Sequence, residues 1–78
     1  MRLLNIWQVQ YSEPTNYGDE ADNRYYSKHK EALKEFNRQL EELKRDLKNA
    51  EDDVSLGLYR NGVFKKGCRV FDGKLEKI

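Results

Sequence analysis

Four carboxylates, Glu13, Asp19, Glu20 and Asp22, crowd into the stretch YSEPTNYGDEADNRYY, and four tyrosines, Tyr11, Tyr17, Tyr25 and Tyr26, frame them. Acids at this density are the raw material of a hard-cation site. A calcium loop of the EF-hand kind, however, alternates its ligands, follows them with Gly and closes on a distal Glu, and NYGDEADN lacks that order. A solvated acidic loop accounts for these residues without a metal, and Glu20 and Asp22 also stand just ahead of a helix start, where negative charge suits the dipole. Nucleophilic chemistry has less to work with. Cys68 and His29 are the only residues of their kind, too few for a cysteine-rich zinc site and unable to form an intrachain disulfide. Ser27 reads as a helix cap, His29 falls on the helix seam, and Cys68 falls on an apolar strand face where it acts as a small hydrophobe. With no phosphate loop, HExxH or paired-acid cleft, the chain is expected not to be an enzyme and to need no cofactor or metal.

Two binding chemistries remain. Tyrosines beside acids are an interface composition: Tyr17, Asp19, Glu20, Asp22, Tyr25 and Tyr26 offer amphipathic rings with charges that steer a basic protein partner. The C-terminal third supplies the alternative. From Val54 onward six basic residues stand against two acids. There, Tyr59, Lys65, Arg69, Phe71 and Lys74 mark a basic, aromatic face of the kind that stacks single-stranded bases, although the GFGF pattern of the commonest RNA-binding sheets is absent. The simpler reading of that face is a solvated sheet surface covered by strand-forming aromatics. A formal net charge of +1 argues against both a nucleic-acid mimic and a generic polyanion binder, so any charge-driven function is local.

The elements that must position these residues follow from periodicity. RLLNIWQVQY alternates, with Leu3, Trp7, Val9 and Tyr11 on one face, and predicts a strand over 2–11. Pro14, Gly18 and the Asn and Asp residues around them predict a loop over 12–24. A run without Gly or Pro predicts a helix over 27–51, capped by Ser27. Its apolar residues, Leu33, Phe36, Leu40, Leu43, Leu47 and Ala50, recur at alternating steps of three and four, a narrow heptad-like seam. At about 36 Å such a helix outruns strands of about 25 Å, so Leu40, Leu43 and Leu47 are expected to overhang the sheet and offer a homodimer or partner-helix seam. Two turn signals, Asn61-Gly62 and Asp72-Gly73, divide 53–78 into a three-stranded meander. A three-residue first turn, pairing Leu58 with Phe64 and Val54 with Cys68, best buries the apolar residues; a two-residue second turn pairs Val70 with Leu75 and Arg69 with Glu76. One face then carries Val54, Leu56, Leu58, Phe64, Cys68, Val70 and Leu75, and the other Tyr59, Val63, Lys65, Arg69, Phe71 and Lys74.

The expectation is a single α+β domain of order β-α-β-β-β, one long helix across a mostly antiparallel four-stranded sheet, with a right-handed crossover from the first strand to the second. The N-terminal apolar run is too short and too interrupted for a signal peptide, no segment approaches a membrane span, and the lone cysteine suits a reducing, cytoplasmic setting. In size, charge density and lack of catalytic residues the chain is similar to the small α/β proteins with which phages and mobile elements block host enzymes or defence systems, anti-CRISPR proteins among them. The likeness is of type and rests on no motif. It implies a protein partner, such as a nucleic-acid-binding enzyme or complex, and inhibition by occluding that partner's surface.

Overall fold

The first strand continues well past its apolar residues. In the computed structural model, which describes residues 5–78, β1 runs Trp7–Thr15, turns at Asn16 and Tyr17, and returns as β2, Gly18–Tyr26. The segment expected to be a loop is therefore a hairpin, paired without interruption from Trp7 opposite Tyr26 to Thr15 opposite Gly18. The expected strand positions 2–4 lie outside the described residues. Gly18 supplies the positive φ (116°) that lets the second strand leave the turn, and the Thr15 hydroxyl accepts from the Tyr17 amide at 3.2 Å. Pro14 is tolerated in β1 because the pairing of β1 with its other neighbour stops at Ser12, so its missing N–H breaks no ladder there.

Among the described residues five strands form the sheet, in the order β2-β1-β3-β4-β5 and antiparallel throughout, where four were expected. β3 is Ser55–Arg60, β4 Val63–Phe71 and β5 Lys74–Lys77. The helix, α1, spans His29–Arg45 and packs on one face. It is a crossover, but from β2 to β3, which run parallel with β1 between them. The expected crossover out of the first strand is replaced because the unforeseen β2 reverses the chain before the helix begins.

α1 is shorter than its sequence pattern at both ends. Lys28, extended at φ −120° and ψ 135°, precedes the first turn with no side-chain cap, so Ser27 stands one residue too early for the capping role. The C-terminal end breaks at Arg45 into a short 3-10 turn, Leu47–Asn49, held by the Asn49 side chain on Asp46 at 2.7 Å. A helix of 17 residues is about 26 Å long, close to the reach of nine-residue strands. The overhang disappears: Leu43 is buried, and Leu40 and Leu47 lie half-buried against the core. The buried face is Ala32, Phe36, Gln39 and Leu43, and it meets Val9, Leu56, Leu58, Cys68 and Val70 of the sheet. Trp7 stacks on His29 with ring centroids 4.2 Å apart, which ties β1 to the first turn of the helix.

The two meander turns differ. At Asp72-Gly73 the pairs are Val70 with Leu75 and Arg69 with Glu76, as the sequence predicts. At Asn61-Gly62 the loop has two residues, not three, with both in positive φ, and Tyr59 opposes Phe64. A bulge at Lys65 then shifts the register, so Leu56 rather than Val54 opposes Cys68. The bulge resolves the conflict that made a two-residue loop look unfavourable, since it returns Cys68 and Val70 to the core face. The two-residue loop itself places Phe64 on the open face, opposite Tyr59, and Val63 on the helix side, opposite Arg60, the reverse of the expected faces.

Candidate functional site

The residues singled out as partner-binding all fall on β2 or its turn, and alternation divides them between two faces. Tyr17 is fully exposed at the hairpin apex, at 101% of its reference area. Asp19, opposite Pro14, and Tyr25, opposite Gln8, lie on the sheet face away from the helix. Glu20, Asp22 and Tyr26 lie on the helix side, opposite Glu13, Tyr11 and Trp7. Tyr26 is half-buried and packs on the core, so it serves the fold more than the surface.

The tip of the hairpin is a free ribbon. Pairing of β1 with β3 ends at Ser12 opposite Ser55, so among the described residues the pairs Glu13 with Glu20, Pro14 with Asp19 and Thr15 with Gly18 have no third strand beside them. Glu13 and Glu20 face each other directly, a like-charge arrangement that costs roughly 0.2–1 kcal/mol. Glu13, Asp19 and Glu20 have no ion-pair partner among the described residues, whereas Asp22 meets Arg24 at 3.6 Å.

Under the ribbon, between it and the C-terminal half of α1, runs an open groove of about 870 Å³. Tyr11, Glu13, Asp22, Glu42, Asp46 and Glu51 line it, with Arg24 and Arg38 as its cations. The carbonyl end of α1 adds to the negative field there. Burial, with Glu13 and Asp46 nearby, pushes the Tyr11 hydroxyl above its ordinary pKa. The two arginines are committed to a network that fixes β2 to the helix. Glu35 accepts from Arg38 Nε at 3.0 Å, from Gln39 Nε2 at 3.0 Å and from Arg24 Nη1 at 3.3 Å. Led by the Arg38 hydrogen bonds, this surrounding holds the Glu35 carboxyl at about 2. Alternation sends Asp19 to the face opposite Glu13, Glu20 and Asp22, and no group of His, Cys, Asp or Glu among the described residues is placed to hold a metal ion.

The alternative basic, aromatic face comes together only in part. Arg69, Phe71 and Lys74 share the open face, but Arg69 bonds Glu76 at 3.1 Å and its guanidinium lies 5.8 Å from the Phe71 ring centroid. Lys65 is the bulge residue, and Lys66 turns to the helix side, 5.1 Å from the Phe36 ring centroid. Tyr59 is occupied. Gly57 and Gly67 oppose each other, and an added Cβ would meet the Tyr59 ring at 2.8 Å in the first case and the Phe64 ring at 3.0 Å in the second. The two rings, edge to face at 5.5 Å, lie over the glycine pair as its cover. Sequence reasoning missed Gly57, Gly67 and the edge position of β2; no pattern within GDEADNRYY marks that edge, which the pairing with β1 creates.

No protein-family model, curated protein or solved structure matches this chain. No helix among the described residues is long and apolar enough to cross a membrane.

Proposed function

We propose that this chain is a small, non-enzymatic protein-binding module of the kind phages and mobile elements use as inhibitors, and that its β1–β2 hairpin occludes a basic, nucleic-acid-binding surface of its partner. One observation carries the reading: β2 is a nine-residue strand at the sheet edge, exposed along nearly its whole length, with uncompensated Asp19 and Glu20 beside Tyr17 and Tyr25. Those acids and rings contribute little to the core, and the repulsion between Glu13 and Glu20 works against the hairpin. Local features that oppose stability concentrate where function demands them. The acids steer a basic partner into place and the tyrosines supply contact area.

The test is capture of partners from host lysate treated with nuclease, in parallel with the Asp19→Lys, Glu20→Lys double variant. A single stoichiometric protein that survives nuclease and is lost with the double variant, with association slowed by salt, is the expected result. Equal capture by the double variant removes the hairpin from the interface.

A further inference from the structure

The two ends of the sheet differ in how they resist strand addition. Exposed strand edges template pairing with other chains, and natural sheets blunt them with short length, lysines, proline or bulges. β5 has four residues and a lysine at each end, and the uncovered first half of β4 carries the bulge together with Lys65 and Lys66. β2 has none of these devices. It is nine residues long, contains no proline or lysine, and keeps an unbroken register with β1. Its only deterrents are Asp19, Glu20 and Asp22, with Arg24 the sole cation.

Carboxylates deter selectively. They repel a second β2 and any acidic strand, but attract a basic one. Because the acids alternate across the strand, Asp19 on one face and Glu20 and Asp22 on the other, a neighbouring strand with cations on either face finds a partner. The mouth of the acidic groove opens on the same ribbon.

We propose that the outer edge of β2 accepts an extended, basic segment of the partner protein as a sixth strand. This rests on the reading of the hairpin as the binding surface and specifies how it binds: main-chain hydrogen bonds give adhesion and the acids give selection.

The probe is a synthetic peptide of alternating lysine and threonine as long as β2, with a glutamate-for-lysine analogue and a copy N-methylated at every residue so that neither of its edges can donate. Binding is followed by amide hydrogen exchange and calorimetry on the intact chain. Slowed exchange at the β2 amides that point away from β1 is expected with the lysine peptide. Affinity should fall by about tenfold or more with the glutamate analogue, with the N-methylated copy, and with Asp19→Lys, Glu20→Lys. Equal binding by the N-methylated copy overturns strand addition while leaving the acidic hairpin as the surface. Absence of β2 protection at saturating peptide also overturns it, and partner capture then judges the hairpin separately. Protection in the chain alone, rising with its concentration and removed by Lys74→Glu with Lys77→Glu, makes a second copy the occupant and overturns the proposal.

Discussion

β2 and the β4–β5 pair close the same sheet at opposite ends, and different forces hold them. β4 contributes Cys68 and Val70 to the core, and its open face is roofed by Phe64 and Tyr59 over the glycine pair. β2 contributes only the half-buried Tyr26 and is held by its backbone pairing with β1 and by the bridge from Arg24 to Glu35. Side chains that a fold does not need for packing are free to be chosen for something else. The basic end is therefore structural and the acidic end available, and substitutions should separate the two.

The largest effect is expected at the structural end. A Cβ at Gly67 would stand 2.5 Å from the Leu56 carbonyl oxygen, which the backbone cannot easily yield, so Gly67→Ala should cost about 1–3 kcal/mol in urea unfolding. Gly57→Ala meets only the tip of the Tyr59 ring and should cost less. An equal loss at both positions would mean that the rings, and not the Leu56 backbone, set the constraint.

Next comes the anchor of β2. Glu35→Ala removes the acceptor shared by the half-exposed Arg24 and Arg38 and by Gln39 and should cost about 1 kcal/mol. Its pH signature has a definite sign. The folded carboxyl sits at about 2 against an ordinary 4.5, so its contribution is complete above the ordinary value and is lost as pH falls toward 2. Stability measured across that window should fall in the parent and flatten in Glu35→Gln.

Smaller, and opposite in sign, is the effect at the available end. Glu20→Lys replaces a like-charge pair with Glu13 by an opposite one and should raise stability by roughly 0.2–1 kcal/mol while weakening partner binding. A variant that loses stability would show that Glu20 has a structural partner after all. Smallest is Phe71→Ala on the half-exposed outer face, expected to stay within about 0.5 kcal/mol in thermal unfolding.

What was legible in the sequence tracks this division. The helix announced itself because Phe36 and Leu43 recur at helical spacing and are buried, and the Asp72-Gly73 register followed from opposite charges at Arg69 and Glu76. Asn61-Gly62 misleads because burial picks out a three-residue turn only for an uninterrupted ladder, whereas the bulge at Lys65 satisfies both turn and core. β2 was unreadable as a strand. GDEADNRYY has neither alternation nor strand-forming residues over most of its length, since what makes it a strand is the unsatisfied edge of β1. The candidate residues could be named from composition alone, but their shared edge could not, because an edge is a property of the neighbours.

The sheet is also a join. β1, β2 and α1 come from one half of the chain and β3, β4 and β5 from the other, and among the described residues the halves meet within the sheet where β1 pairs with β3. Each half folds back on itself through short hairpins, so closure of that one non-local seam is the expected slow event in folding. A cut in the connection between Ala50 and Val54 would turn it into a bimolecular reaction, with two fragments reconstituting one sheet and assembly rate read directly from their concentration.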